Sequence, residues 1–333
     1  MYGPRLRKNT VLTMKILVTG AAGFIGSNLV ERLLQDNFKV VGVDNFNNYY
    51  DPDLKEKNII GARNYENFKL YREDVLDFAT LKTIFKKERP EKIIHLAAKA
   101  GVRSSIKNPL LYAKVNVKGT VNLLKLSVGF GVKQFILGSS SSVYGNSRRL
   151  PFSENDPCNK IISPYGASKR AAELWVECFY RTYGLKSVIL RFFTVYGPRG
   201  RPDMAPALFT KALLEGKLTN QYGDGSSSRD YTYIDDIIGG IYETLEKDLD
   251  FEIINLGNNN PIKLREFIKS LEKIIKRKAK IQKMPTQSGD VEKTWANIVK
   301  AKELLGWKPK TRFEKGLNKY VLWLKKRMIN IVT

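Results

Sequence analysis

The chain has 333 residues, of which 43% are hydrophobic and 27% charged, which is enough for a full apolar core and for two lobes. Its formal net charge of +24 raises the question of nucleic-acid binding. The basic residues between positions 263 and 283, however, alternate with apolar residues at helical spacing, as on a solvated helix face above a buried one. We therefore expect no nucleic-acid partner and attribute the charge to solubility and to attraction of an anionic substrate.

Membrane and metal-binding classes also fit the sequence poorly. No apolar run approaches the ~18 residues needed to span a bilayer. Residues 1–13 form a basic N-terminal extension without the apolar centre of a signal peptide. Cys158, Cys178 and the single histidine, His95, lack metal-ligand spacing. We expect a cytoplasmic protein with no metal and no membrane partner.

Short β-rich apolar runs alternate with longer amphipathic segments, which predicts an α/β fold with a doubly wound parallel sheet of the Rossmann type. The predicted strands are 15–19, 39–44, 68–72, 92–97, 134–139 and 187–192. The predicted crossover helices are 24–35, 76–87, 110–130 and 165–183. After Pro198 the alternation loosens. We therefore predict a Rossmann domain over 14–197 and a smaller C-terminal α/β substrate-binding lobe over 198–333, with strands from about 229–256 returning to the first sheet.

A glycine-rich turn follows the first predicted strand and opens the first helix. Gly20, Gly23 and Gly26 lie where a pyrophosphate needs close backbone approach and a helix N-terminus. Their spacing departs from the commoner G-x-G-x-x-G, so a glycine turn without a ligand remains an alternative. Asp44 ends the second predicted strand, where it can bind a ribose diol and repel a 2′-phosphate. The sequence therefore predicts NAD rather than NADP.

The run from Ser163 to Lys169 contains a tyrosine and a lysine four residues apart. If Pro164 opens a helix that Ser163 caps, Tyr165 and Lys169 lie on one helix face. A neighbouring cation lowers the pKa of a phenol, ordinarily about 10, so that tyrosine can serve as a base. Such pairs also arise by chance on solvated helices. With the glycine turn, the pair predicts redox chemistry at a carbinol.

These motifs occur in the order found in the extended short-chain dehydrogenase/reductase family, which the sequence resembles from about residue 14 to 324. The resemblance implies an NAD site with a structural role for His95 and a supporting role for Asn116. The residues it assigns to the cofactor are Gly20, Gly23, Phe24, Ile25, Gly26, Asp44, Asn45, Asn47, Asp74, Val75, Leu96, Ala97, Ala98, Asn116, Tyr165 and Lys169.

Four serines follow Gly138 at the end of the fifth predicted strand, where open α/β sheets hold ligands. A polar turn with its hydroxyls bonded to backbone is the alternative. The resemblance implies a catalytic triad of Ser140, Tyr165 and Lys169. Relatives that dehydrate or decarboxylate nucleotide sugars carry an acid at one or both of the next two positions, which here are Ser141 and Ser142. Elimination would lack its general acid/base, which leaves oxidation at C4 followed by reduction.

The stretch 191–205 resembles UDP-glucuronate 4-epimerases. A guanidinium can hold a C6 carboxylate bidentately, and Arg201 is the first candidate, with Arg199 and Arg103 as others. By resemblance, Arg229 contacts the diphosphate, Tyr231 lies near the nucleotide and Asp290 holds its ribose. The predicted substrate-binding residues are Arg103, Ser141, Ser142, Thr194, Arg199, Arg201, Arg229, Tyr231, Gln287 and Asp290.

The resemblance thus implies NAD-dependent 4-epimerisation of UDP-glucuronate to UDP-galacturonate through a transient 4-keto sugar, as a step in polysaccharide biosynthesis. Relatives pack the segments corresponding to 110–130 and 165–183 into a homodimer. The alternatives are a UDP-glucose 4-epimerase or another nucleotide-sugar epimerase and, from another class, a non-catalytic NAD-binding sensor or partner protein.

Overall fold

A computed structural model describes residues 14–286 and 291–332, so the predicted extension over 1–13 lies outside the described residues. The described chain divides into two compact units. The first contains 14–143, 163–190 and 247–253, and the second contains 144–162, 191–246, 254–286 and 291–332. The single boundary predicted near residue 198 is therefore too simple, because the chain enters the second unit at residue 144 and returns to the first at 163 and again at 247.

The strands of the described chain form three sheets. A seven-stranded sheet has the order β10-β6-β5-β4-β1-β2-β3, a second sheet has the order β11-β9-β7, and β12 pairs with β8. The strands are β1 Lys15–Thr19, β2 Lys39–Val43, β3 Phe68–Tyr71, β4 Lys92–His95, β5 Gln134–Ser140, β6 Ser187–Phe192, β7 Thr194–Tyr196, β8 Leu218–Tyr222, β9 Ser228–Tyr233, β10 Phe251–Leu256, β11 Pro261–Lys263 and β12 Lys280–Met284.

The large sheet confirms the doubly wound fold. The pairs β1–β2, β1–β4, β2–β3 and β4–β5 are all parallel, and the near-continuous apolar runs of these strands suit a sheet covered by helices on both faces. β2 ends at Val43 and β4 at His95, earlier than predicted. Asp44 and residues 96–98 therefore lie in loops just beyond the strands, where backbone and side chains can face a ligand.

The helices of the first unit that matter for the site follow β1, β4 and the segment 144–162. The helices of the described chain are α1 Phe24–Gln35, α2 Pro52–Ile59, α3 Phe78–Glu88, α4 Val102–Lys107, α5 Pro109–Tyr112, α6 Gly119–Gly129, α7 Pro164–Tyr183, α8 Ala205–Glu215, α9 Ile234–Leu245, α10 Leu264–Ile275, α11 Val299–Leu305 and α12 Phe313–Val332. None of those over 14–286 and 291–332 combines the length and apolarity needed to cross a bilayer.

The predicted helix over 110–130 is not one regular helix. α5 leads into a π-helical segment, Ala113–Lys118, and then into α6. Asn116 lies in this wider turn, where its amide donates to the Lys99 carbonyl oxygen and to the Ser168 hydroxyl, and accepts from the Lys99 N–H. Such π-helical turns are frequent at functional sites. Hydrophobic spacing did not reveal the change, and the buried side chain of this segment is the polar Asn116.

The second unit corrects the expectation that a strand near 229–234 joins the main sheet. β9 pairs instead with β7 and β11, whereas residues 253–256 lie in β10 at the edge of the seven-stranded sheet. Asp230 on β9 is buried and accepts N–H bonds from Asn258, Asn259 and Ala296, at 2.6, 3.0 and 2.9 Å. These bonds tie β9 to the loops of its own unit.

Helix α10 carries three of the nine basic residues between positions 263 and 283. Its buried face consists of Phe267, Ile268 and Leu271, while Lys269 and Lys273 are exposed. The amphipathic arrangement predicted for this segment is therefore confirmed.

Candidate active site

The N-terminus of α7 forms as its sequence predicts. Ser163 has an extended backbone and caps the helix by accepting a hydrogen bond from the Gly166 N–H at 3.1 Å, and Pro164 occupies the first turn. The half-buried Tyr165 ring packs edge-on against Tyr112, with the ring centroids 6.2 Å apart. The cap therefore fixes the residue at which α7 begins, and with it the position of Tyr165 in the first turn.

Lys169 lies one turn further along α7 and is 5% exposed. Its ammonium donates to the Gly138 carbonyl oxygen on β5 at 2.7 Å. Burial lowers the pKa of Lys169 to about 8, and the negative charge of Glu173 partly opposes that shift. The lysine predicted to be catalytic is thus a buried cation held by the strand that carries Ser140.

The four serines beyond Gly138 have distinct partners. The Ser139 hydroxyl donates to the Glu173 carboxylate at 2.6 Å. The Ser140 hydroxyl donates to the Ser142 hydroxyl and accepts from the Ser142 N–H, both at 3.2 Å. Ser140 therefore has a preformed local partner in Ser142. The contact between Ser139 and Glu173 was not anticipated from the sequence.

His95 and Asn116 connect the strands and helices around Ser140, Tyr165 and Lys169 through hydrogen bonds. The two His95 ring nitrogens lie 2.7 Å from the Thr19 hydroxyl and 3.0 Å from the Thr120 hydroxyl. Burial lowers the pKa of His95 to about 3, with a smaller contribution from Lys169, so the ring is neutral. Asn116 joins Ser168 on α7 to the backbone at Lys99. Both residues hold the strands and helix that carry the reacting groups.

The glycine turn gives a phosphate close access to the start of α1. Gly20 has φ +69°, and a Cβ there would lie 2.8 Å from the Ala97 nitrogen. A Cβ at Gly26 would collide with the Gly20 carbonyl oxygen. Gly23 provides no side-chain cap for α1, and no acidic side chain lies in its first turn. The residues present therefore fit a dinucleotide pyrophosphate at this helix end, with Phe24 and Ile25 beginning the helix.

Asp44 is buried beside Lys55, a lysine that no sequence motif singled out. Its carboxylate accepts from the Ala22 N–H at 3.1 Å and the Phe46 N–H at 2.8 Å, and it lies 3.6 Å from the Lys55 ammonium. Lys55 is on α2 and is 4% exposed. The Asp44 carboxylate is thus oriented by backbone and balanced by a buried cation, as a fixed acceptor for a ribose diol requires.

The residues predicted to surround the adenosine end are joined to one another. Asn45 donates to Asp74 at 2.8 Å, and Asn47 donates to the Asn45 side-chain oxygen. Val75 is buried, whereas Leu96, Ala97 and Ala98 form the half-buried loop after β4. One arginine lies near this group of residues. The Arg72 guanidinium is over the Phe46 ring, 4.0 Å from its centroid, and is paired with the Glu56 carboxylate at 2.6 Å.

The candidate carboxylate-binding arginines differ in their settings. Arg201, in the second unit, forms a two-point ion pair with Asp203, with both N···O distances 2.9 Å. Arg199 has the unusual backbone φ of +68°, and Thr194 begins β7 half-buried. Arg103 is exposed on α4 of the first unit. The Arg201 fork has the predicted bidentate geometry, but its partner in this structure is the chain's own carboxylate.

The residues predicted to contact the diphosphate and the nucleotide, Arg229 and Tyr231, differ in exposure. The Arg229 side chain is half-buried and donates to the backbone carbonyls of Ser228 and Glu292, at 3.0 and 3.4 Å. Tyr231 is 3% exposed, and its ring stacks on Phe267 with centroids 5.2 Å apart. Burial raises the pKa of Tyr231 to about 12. The ring packs within the aromatic core of its unit, and its expected contact with the nucleotide stays a prediction.

Gln287 and Asp290, the last two predicted substrate residues, lie outside the described residues, so their assignment stays a prediction.

The glycine turn after β1 fits a dinucleotide, and α7 carries a tyrosine with a buried lysine one turn further on. These two features define an extended short-chain dehydrogenase/reductase. The model of one family in this class, described as GDP-mannose 4,6 dehydratase, matches residues 17–320, and the chain belongs to that family. A UDP-glucuronate 4-epimerase from Thermodesulfobacterium geofontis is 46% identical over 313 residues, covering 94% of this chain and 96% of the relative.

Two solved structures are similar to nearly the whole chain. UDP-glucuronic acid 4-epimerase from Bacillus cereus, in complex with UDP-glucuronic acid and NAD, has a TM-score of 0.90 and 37% identity, covering 94% of this chain and all of that one. UDP-glucose 4-epimerase from Thermotoga maritima, with UDP-glucose, has a TM-score of 0.88 and 36% identity, covering 95% of this chain and all of that one. Overall likeness therefore identifies the epimerase scaffold without choosing between an acidic and a neutral sugar.

We predict that Asp44→Asn weakens NAD binding by about tenfold or more, because a hydrogen bond to a charged acceptor contributes about 1.5–3 kcal/mol. The affinity for NADP should fall less, so the preference for NAD over NADP should become smaller. Calorimetric titration of cofactor-depleted protein measures both affinities. Asp53→Asn is the matched control, since Asp53 is exposed at the start of α2. Unchanged NAD affinity in a folded Asp44→Asn protein contradicts the assignment.

Proposed function

We propose that the chain catalyses NAD-dependent 4-epimerisation of UDP-glucuronate to UDP-galacturonate. The observation that carries this proposal is the combination of Ser140, Tyr165 and Lys169 with serines rather than acids at positions 141 and 142. The 46% identity to a named UDP-glucuronate 4-epimerase over almost the full chain supports it.

The reacting groups of the first unit perform the proton chemistry. When bound, NAD supplies the acceptor for hydride from C4 and later the donor. Tyr165 removes the proton of the 4-hydroxyl group, with the buried Lys169 ammonium one turn away stabilising its phenolate form. Ser140 binds the same oxygen. After the 4-keto sugar has turned over, Tyr165 returns the proton as hydride reaches the opposite face.

The residues beside the triad favour epimerisation over dehydration. Elimination of a C6 hydroxyl group or a proton exchange at C5 requires a general acid and base. Ser141 and Ser142 are half-buried and carry no carboxyl group. The family's description names a dehydratase, but the reaction proposed for this chain ends with the 4-keto group reduced.

A uronate substrate imposes a further requirement. Its 4-keto form is a β-keto acid, which loses carbon dioxide when the carboxylate bond aligns with the carbonyl π system, so carboxylate orientation must be restricted. We propose that Arg201 provides this restraint, with Thr194 of the same unit as a polar partner. Arg229 is the proposed diphosphate cation.

The second candidate is UDP-glucose 4-epimerase. The specific observations that favour it are the similarity to the Thermotoga maritima enzyme and the existing pairing of Arg201 with Asp203. A neutral sugar would leave that ion pair undisturbed.

The direct test is purified protein with UDP-glucuronate, followed by proton NMR. UDP-galacturonate should appear at equilibrium with the substrate, and Tyr165→Phe should lower the rate by about 10²–10⁴-fold, because the general base is lost. Tyr112→Phe is the matched control: its hydroxyl group donates to the Ala100 carbonyl oxygen, and its ring is retained. UDP-xylose or a free 4-keto sugar as the main product defeats the proposal.

Substrate choice has its own test in Arg201→Ala. If its guanidinium holds the C6 carboxylate, kcat/KM for UDP-glucuronate should fall by about tenfold or more, and that for UDP-glucose should change little. Arg265→Ala, at an exposed position on α10, controls for loss of surface charge. Equal losses for both sugars remove the carboxylate role from Arg201.

We also propose a cytoplasmic homodimer that supplies polysaccharide biosynthesis. Apolar side chains on neighbouring helices support the dimer: Leu110 on α5 is 81% exposed, and Leu174 and Trp175 on α7 are 51% and 42% exposed. A second copy of the chain would bury these side chains. Light scattering should give twice the chain mass for the natural protein, and Leu174→Glu with Trp175→Glu should shift the mass to that of a monomer. A monomeric natural protein contradicts this part.

A further inference from the structure

Glu173 is a fully buried carboxylate that the reaction outlined above does not use. It lies on α7 one turn beyond Lys169, with 0% of its surface exposed. One of its oxygens accepts the Ser139 hydroxyl at 2.6 Å, and the other pairs with the Arg170 guanidinium at 3.1 Å. A buried charge of this kind is costly unless its contacts compensate for the lost hydration.

The contacts of Glu173 form the second of two links between β5 and α7. Lys169 donates to the carbonyl oxygen of Gly138, and Ser139, the next residue on β5, donates to Glu173. Consecutive strand residues are therefore bonded to side chains four apart on one helix face. Ser140 follows directly on the strand, so both links fix its position relative to Tyr165.

Glu173 also supplies negative charge to a site that contains a buried cation. Two influences shift the pKa of Lys169: burial lowers it to about 8, and Glu173 raises it. His95 on β4 faces the same region but is neutral, because its pKa is about 3. The elements packed against α7 carry further titratable or charged side chains, and none of them contributes to the shift at Lys169: Arg103 and Lys107 on α4, Tyr112 on α5, Lys114 and Lys118 in the π-helical segment, and Lys125 on α6.

We propose that Glu173 is a positioning residue for the epimerase reaction, on whose assignment this inference rests. Its carboxylate fixes the end of β5 against α7 through Ser139, and its charge balances the buried Lys169 ammonium that serves Tyr165. The Arg170 guanidinium forms an ion pair with the same carboxylate, so its positive charge partly offsets the negative charge that Glu173 supplies to Lys169.

The charge role has a signature that a purely structural link lacks. Removing a negative charge makes proton loss easier for both Tyr165 and Lys169, so both limbs of the pH profile of kcat/KM should move to lower pH. The alkaline limb reports Lys169 and should move more, by about one unit. Removing the positive charge of Arg170 should move the limbs to higher pH.

The experiment measures pH profiles of UDP-glucuronate epimerisation by the NAD-loaded protein and its Glu173→Gln, Glu173→Asp and Arg170→Gln variants. In Glu173→Gln both limbs of the profile should shift to lower pH, and kcat should fall by about tenfold or more. Glu173→Asp keeps the charge and should retain the limb positions even if its rate is lower. Reduced rates with unmoved limbs in Glu173→Gln, or a downward shift in Arg170→Gln, overturn the proposal. If Glu173→Gln does not fold, Glu173→Asp and Arg170→Gln still decide it.

A second arm needs no substrate and so separates this inference from the proposed function. The pH dependence of phenolate absorbance in NAD-loaded protein, minus that of Tyr165→Phe, isolates the titration of Tyr165. Its midpoint should fall in Glu173→Gln and rise in Arg170→Gln. An enzyme inactive on UDP-glucuronate that shows these shifts refutes the substrate assignment alone, whereas an unmoved midpoint refutes the role of Glu173.

Discussion

A primary ammonium group gains little by leaving water, and yet Lys169 is almost fully buried in this protein. Its retention there requires oriented polar groups, because an uncompensated cation in a low-dielectric interior would lose its proton. The Gly138 carbonyl oxygen provides the direct contact, and that contact exists only if β5 ends at the right height against α7. The Ser163 cap, the Asn116 bracing and the position of the serine run all serve this one requirement.

The same centre explains how one scaffold supports different reactions. For the proposed transfer of hydride from C4 to bound NAD, the base, its lysine and the hydroxyl group that binds the substrate oxygen all lie on β5 and α7. What happens to the 4-keto sugar next depends on whether neighbouring side chains can exchange further protons. By resemblance, relatives that dehydrate or decarboxylate carry an acid at one or both of the positions held here by Ser141 and Ser142. We therefore expect the product to depend on these few side-chain atoms.

The sequence predicted the local features well, because they depend on neighbours along the chain. The Ser163 cap, the six strands and the glycine turn with Asp44 follow from short patterns, and the structure contains all of them. The partners Lys55 and Glu173 could not be selected, since their roles arise only when separate elements pack together. The burial of the Tyr231 ring could not be predicted, because a strand buried on both faces leaves no alternation from which to tell a core ring from an exposed one.

The Arg201–Asp203 ion pair has a consequence for how selective the protein can be. A carboxylate two residues away acts at a high effective concentration, so in the proposed carboxylate role of Arg201 an incoming anion competes with Asp203 for the guanidinium. The affinity gained from an acidic sugar is then reduced by that competition. A neutral sugar does not compete, so under this proposal Asp203 affects the discrimination between acidic and neutral sugars without any change to the arginine.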